Sequence, residues 1–383
     1  FPVATYYLED ALELTGHEVR PAAEWCLNSE ASRRRCVEMQ TVLPTVVARA
    51  DMARRFPERP DGVLDALRVL DVSIVNVDLI VQLIRYFVRE ERPGDAEERP
   101  GAMPSSATAA SRHILPADGA VLVFLPGTAE IDEVARAVAG MLARPDGRIR
   151  REWILPLHGA LPPSEQVRCF ARPPEGVCKV VLATNVAETS ITIPDVALVI
   201  DSGRVKQAEY EPLRRMASLA DVPVSAAQAK QRRGRAGRVQ DGICFHLYPS
   251  DTELAAQTEP EVRRVSLERL VMSIKALKLP GSAPEVLSSL PEPPSEAAAA
   301  AALRDLALLG ALSAHNEQLT PLGRVLVELP IEPRLAKLVL LGLCFGAPDE
   351  TLTIAAALSS SRSPFLAPMD SMEARSMDAL RRG

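Results

Sequence analysis

Lysine is nearly missing from this sequence. It occurs six times in 383 residues, and arginine supplies the other 38 of 44 basic residues. Against 50 acidic residues the formal net charge is −6. That balance excludes a uniformly basic nucleic-acid binder, though not a local basic patch. Arginine abundance therefore carries no inference, and arginine placement does. Cysteine is also scarce: Cys26, Cys36, Cys169, Cys178, Cys244 and Cys344 are scattered, with no CxxC pair. This argues against a zinc site or a disulfide framework and fits buried thiols in a reducing compartment. No apolar run reaches the ~18–20 residues that cross a bilayer. LVLLGLCFG (338–346) reads instead as a buried helix. FPVATYYLED, at the start, lacks the basic-then-apolar profile of a signal peptide.

What is present is ordinary in bulk. A hydrophobic content of 47% and a charged content of 25% are those of a soluble globular chain. The length predicts two or three domains with a substantial core. Residues 1–70 are mixed, with a helical stretch around Leu8 to Leu14. DVSIVNVDLIVQLIRYFVREE (71–91) has helical spacing, with Asp71 or Ser73 as cap. RPGDAEERPGAMPSSATAASR (92–112) is rich in Pro, Gly, Ser and Ala and predicts a disordered insertion over 92–118.

From Gly119 short apolar runs alternate with helical segments: AVLVFL (120–125), WILPL (153–157), KVVLAT (179–184), VALVID (196–201) and ICFHLY (243–248). Runs buried on both faces, interleaved with helices, predict a parallel α/β sheet. Polar motifs follow four of the runs at their carboxyl ends: Pro126-Gly127-Thr128, His158-Gly159, Thr184-Asn185 and Asp201-Ser202-Gly203. Ligands bind at that edge of open α/β sheets, although short polar residues also simply turn a strand into a helix. After Tyr248 the texture is helical. Ser295 caps and Gly310 stops one helix, a hairpin turns at His315-Asn316, and Thr320-Pro321 opens the next helix. Helix, helix, hairpin is the outline of a winged helix.

QRRGRAGR (231–238) combines arginines spaced by three with two glycines. On a helix Arg232, Arg235 and Arg238 would share one face. Gly234 and Gly237 each weaken a helix by ~1 kcal/mol, so close approach of another surface is expected at them. A solvated basic face would explain the arginines but not the glycines.

QRRGRAGR resembles motif VI of superfamily 2 helicases. ATNVAETSITIPDV (183–196) resembles motif V of the DEAH-box RNA helicases, and LVFLPG (122–127) their motif IV. VIDSGRVKQAEYEP (199–212) continues the pattern, LTPLGRVLVELPIEPRLAKLVLLGLCFG (319–346) resembles the helical region after the motor, and SSSRSPFLAP (359–368) its continuation. IPDV and SRSPF point to the subgroup of large multidomain RNA helicases. The resemblance covers the whole chain and is weakest at 92–112. It implies a second RecA-like domain over 1–250, a winged helix over 251–320 and the start of a helical ratchet domain over 321–383.

The resemblance also implies roles. Arg235 and Arg238 become arginine fingers for ATP hydrolysis, and Gln231 positions the attacking water or the γ-phosphate. Arg232 and Arg233 are unassigned, a surface ion pair being the alternative for each. Phe170 stacks on adenine, with a core phenylalanine as its alternative, and Thr192 and Asp195 contact the nucleotide sugar. Gly127, Thr128, Gly159, Thr184 and Asn185 contact the RNA backbone, where short side chains and loop amides suit phosphate and sugar without base readout. His158 is a turn residue rather than a catalytic one. Residues 204–225 form a β-hairpin, here without the family's aromatic near Pro223 and its lysine after Ser225.

Two family motifs are absent. No GxxxxGK[ST] occurs, no lysine follows a glycine, and no DEAH sequence occurs. These motifs hold the phosphates and magnesium. The expectation is therefore the C-terminal motor half of an ATP-dependent RNA helicase. ATP would be shared with a first RecA-like domain in cis, and Mg2+ held mainly by that domain. RNA is the partner, with possible protein cofactors and no membrane, in a cytoplasmic or nuclear setting. The alternatives are a non-catalytic RNA-binding or regulatory module lacking the first motor domain, and a DNA helicase.

Overall fold

The computed structural model describes residues 1–27, 29–38, 46–88, 119–144, 147–189, 191–211, 216–313 and 315–359. The expected insertion at 92–118 and nearly all of SSSRSPFLAP lie outside them. The five apolar runs all become strands: β2 (Ala120–Phe124), β3 (Ile154–Leu157), β4 (Val180–Ala183), β5 (Val196–Asp201) and β8 (Gly242–His246). A sixth, β1 (Val3–Tyr6), pairs Val3 with Gly242 and Tyr6 with Phe245. All pairings in this sheet are parallel, in the order β1-β8-β5-β2-β4-β3.

β2, β4, β5 and β8 are buried on both faces, which is why they read as continuous apolar runs, whereas the edge strand β3 alternates partly buried and buried residues. Val121, Val123, Leu198, Ile200 and Phe245 point to one core, shared with the helices Leu8–Thr15, Asp61–Val69, Val77–Phe87 and Thr128–Met141. Leu122, Phe124, Val199 and Cys244 point to a smaller core closed by Cys169, Ala187, Ile193 and Ala236. The helix expected at 71–91 begins at Val77 and is capped by Asn76, whose side chain accepts from the Leu79 amide at 3.0 Å. Asp71 instead folds a local turn, accepting from the Ser73 amide at 3.0 Å. The hairpin forms as expected from β6 (Arg204–Glu211) and β7 (Met216–Pro223).

The chain divides into two compact units, Phe1–Gln207 with Leu219–Thr258, and Ala208–Ser218 with Glu259 onward. In the second unit the helices Glu268–Ala276, Ala283–Ser288 and Glu296–Leu309 are followed by an antiparallel bridge between Leu312 and Leu319. Ser295 caps by accepting from the Ala298 amide at 3.2 Å, and Gly310 stops its helix at φ 81°. Thr320 caps the helix Pro321–Glu328. Gly323 in that helix must be glycine, since a Cβ there would lie 2.0 Å from the Ala311 carbonyl oxygen. The helices Pro333–Phe345 and Pro348–Ser359 complete the unit.

Candidate functional site

Because all six strands run the same way, their carboxyl ends share one edge. β3, β4 and β2 are neighbours there, so Gly159, Thr184-Asn185 and Gly127-Thr128 emerge from three adjacent strand ends. The Thr184 amide donates to Leu157 O at 3.0 Å and the Leu125 amide to Ala183 O at 2.8 Å, which holds the three ends level. Thr128, Gly159 and Asn185 are exposed, Thr184 is half-buried and Gly127 is buried. A Cβ at Gly127 would lie 2.4 Å from Lys206 Nζ. That ammonium comes from β6 and donates to both Glu130 oxygens at 3.0 Å. Lys206 is thus a cation seated on the motif IV turn. Sequence reasoning missed it because it lies in the hairpin, far along the chain.

At the opposite edge stand the residues expected to meet nucleotide. Phe170 ends the short helical turn Arg168–Phe170 and is 39% exposed, so it is not a core phenylalanine. Lys179, just before β4, is fully buried; its Nζ donates to Cys169 O at 2.8 Å and Ala171 O at 2.9 Å. The same Nζ lies 2.9 Å from Asp195 Oδ1. The Asp195 carboxylate is accordingly buried and turned onto Lys179, whereas Thr192 is exposed and accepts a hydrogen bond from Arg238 Nη1.

The arginines do not share a helical face. The helix Ala226–Arg233 is capped by Ser225 and closes at Gly234, so Arg235 and Arg238 lie in the turns beyond it. Arg235 is buried and donates to Ile191 O at 2.9 Å and to Glu188 O. Burial, then the charge of Arg238, lowers its pKa. Arg238 and Gln231 are exposed. The close approach expected at the glycines occurs at Gly237, where a Cβ would lie 2.5 Å from Val3 Cγ2 and 2.7 Å from Phe1 O. The approaching surface is therefore the start of β1, in the same domain.

Arg232 is the main correction. It is no surface ion pair: it is completely buried. Its Nη1 meets Asp201 Oδ1 at 2.6 Å and Arg204 O at 3.1 Å, its Nε meets Glu188 Oε2 at 3.2 Å, and its guanidinium lies 4.9 Å from the Phe124 ring centroid. Asp201 Oδ2 also lies 3.0 Å from His246 Nδ1. Burial alone would raise the Asp201 pKa, but Arg232 and the His246 hydrogen bond hold it at about 2. Glu188 is raised, with burial outweighing Arg232. This network joins the motif V segment, the motif VI helix and the base of the hairpin. Its sequence signal is a charged residue at the end of an otherwise apolar strand, Asp201.

Among the described residues no group of three or more His, Cys, Asp or Glu side chains could hold a metal ion. No described helix is long and apolar enough to cross a membrane.

Residues 109–240 match the helicase conserved C-terminal domain, 302–331 the winged-helix part of the helicase-associated domain, and 332–382 its ratchet-like part. The ATP-dependent DNA/RNA helicase DHX36 of Homo sapiens is 36% identical over 385 residues, covering 96% of this chain and 34% of that protein. The DExH-box ATP-dependent RNA helicase DExH3 of Arabidopsis thaliana is 35% identical over 97% of this chain and 29% of its own length. The chain thus spans about a third of these relatives. Among solved structures, the Escherichia coli DEAH/RHA helicase HrpB aligns with a TM-score of 0.58 at 32% identity, over 72% of this chain and 35% of that one. The matches to the helicase C-terminal, winged-helix and ratchet-like parts, with these relatives, place this chain in the DEAH-box RNA helicase family.

Proposed function

We propose that this chain is the C-terminal motor half of an ATP-dependent RNA helicase, engaging nucleotide at one edge of its sheet and single-stranded RNA at the other. The observation that carries this reading is the segment from Thr184 to Asp195. It leaves the carboxyl end of β4 beside Gly127 and Gly159, and reaches the amino end of β5, where Arg238 binds Thr192. One segment therefore touches both candidate sites, so a change at the nucleotide edge alters the grip at the RNA edge. Phe170 offers an exposed ring to adenine, and Thr192 faces the sugar. Arg238 presents an exposed guanidinium to the γ-phosphate. Arg235 is committed to Ile191 O and Glu188 O through two of its five N–H donors and reaches phosphate through the rest. Gln231, also exposed, orients water. Mg2+ and the phosphate cradle fall, in this reading, to a first RecA-like domain carrying the GxxxxGK[ST] and DEAH motifs.

The test joins this chain to a Walker-bearing first RecA-like domain. Arg238→Ala should lower ATP turnover by about a hundredfold or more and leave nucleotide affinity within a few-fold, because finger contacts strengthen in the transition state. Normal turnover in that variant would remove the finger assignment. A joined parent protein that binds RNA but never hydrolyses ATP would favour the non-catalytic RNA-binding module instead.

A further inference from the structure

Lys179 makes none of the proposed nucleotide or RNA contacts, yet it is among the largest fully buried side chains of the described residues. An ammonium taken wholly out of water costs several kcal/mol unless its protons are satisfied. Lysine carries three N–H donors. Here Nζ donates to Cys169 O at 2.8 Å and Ala171 O at 2.9 Å, and it pairs by charge with Asp195 Oδ1 at 2.9 Å, a carboxylate that accepts no hydrogen bond among the described residues. The two acceptors are the main-chain carbonyls on either side of Phe170. Asp195 belongs to the segment carrying Thr192. Satisfying two of its donors on these carbonyls also fixes the turn that carries Phe170.

We infer that Lys179 is a positioning residue for nucleobase recognition: it draws both carbonyls flanking Phe170 inward, so the ring projects outward, and ties that turn to the Thr192–Asp195 segment. The base platform and the sugar side of the nucleotide site then move as one body. Asp195 acts as the anchor of this clamp, with its carboxylate turned to Lys179. Arg238 extends the tie by holding Thr192 from the other side. The clamp acts on the side chain that selects for a base, so its loss should reduce discrimination in favour of a base-bearing nucleotide. This inference rests on the proposed stacking role of Phe170.

The test uses the 383-residue chain, with Lys179→Met/Asp195→Asn, Phe170→Ala and the parent compared. Both charges are removed together so that no unpaired charge is left buried. The first measurement is amide hydrogen exchange across residues 168–172 and across β4. The second, on the same variants joined to a Walker-bearing first RecA-like domain, is competition of ADP and of base-free ribose 5′-diphosphate against a fluorescent adenine nucleotide. Exchange at 168–172 should quicken about tenfold in the double variant while β4 keeps its protection. Its preference for ADP over ribose diphosphate should fall by about tenfold, as in Phe170→Ala. Unchanged exchange, or a retained base preference, overturns the inference. Loss of protection through β4 as well makes Lys179 a general structural residue and overturns it too. If Phe170→Ala keeps the base preference, the stacking reading itself fails, and the specificity role of Lys179 falls with it whatever exchange shows.

Discussion

Arg232 heads the fully buried side chains of the described residues. Its removal would leave Asp201 and Glu188 as two buried carboxylates without their shared cation. Arg232→Ala should therefore cost about 3–5 kcal/mol of folding stability. Arg232→Lys should recover little, since one ammonium cannot replace a fork that reaches both carboxylates. Arg238→Ala, at an exposed position, should stay within about 0.5 kcal/mol of the parent. Equilibrium denaturation of the three variants decides the matter, and equal small losses would refute the buried-network account. The network also has a pH signature. Asp201 is depressed from 3.8 to about 2, so its contribution is fully present above about pH 4 and is lost as pH falls through 2. Glu188 is shifted upward, so its contribution has the opposite sign, favouring the fold below pH 4.5 and fading as pH rises through its raised pKa. Asp201→Asn should remove the acid limb between about pH 4 and pH 2 and lower stability at neutral pH by about 2 kcal/mol. Denaturation midpoints across that range would show it; an acid limb identical to the parent's would assign the acid sensitivity elsewhere.

At the scale of elements, what could be read from sequence follows burial. The four central runs announced themselves because both faces of β8, β5, β2 and β4 are buried, the edge strand β3 did so through its apolar composition, and Ser295, Gly310 and Thr320 marked their helix ends through residue chemistry alone. β1 escaped notice because Val3–Tyr6 is a short edge strand with three of its four residues only partly buried, so its identity comes from pairing with β8 and not from its own pattern. The arginine comb was misplaced for a related reason. Spacing by three fits a helix, but Gly234 ends the helix before Arg235, and only the contacts of Gly237 with Phe1 and Val3 show what the second glycine is for. Asn76 was passed over because Asp71 and Ser73 are equally good capping types and lie nearer the start of the periodic stretch. The candidate site was legible as motifs, whereas Lys179, Lys206 and the burial of Arg232 depend on partners distant in sequence. Gly237→Ala tests the element-scale argument. The added methyl meets the Phe1 carbonyl oxygen and Val3, so β1 should be displaced from β8 and hydrogen-exchange protection lost along Ile243–Phe245. Protection equal to the parent's would mean that β1 accommodates the methyl group and that the close approach is incidental.

For the whole molecule, the net charge of −6 opposes binding to a polyanion, and any affinity for RNA must come from local geometry. The chain has no Walker lysine, so alone it should hydrolyse no ATP; RNA-stimulated turnover by the purified 383 residues would contradict the proposed division of labour. RNA binding gives a sharper test. A basic channel would lose affinity steeply with salt, because each phosphate neutralised releases counterion, with a log–log slope of about −0.7 per contact on single strands. The candidate contacts Gly127, Thr128, Gly159, Thr184 and Asn185 are uncharged and offer amides and hydroxyls. The cation seated among them is Lys206, which Glu130 already holds. Binding to single-stranded RNA should accordingly be weak and its salt slope shallow, at about −0.7, set by Lys206 displacing Glu130 for phosphate. Lys206→Ala should flatten that slope further, and Glu130→Gln should tighten binding at every salt concentration by freeing the ammonium. Titrations of labelled RNA from low to moderate salt would measure all three. A slope of about −4 or steeper in the parent would mean that the contact surface is a set of arginines elsewhere in the chain, and the strand-end site would have to be abandoned.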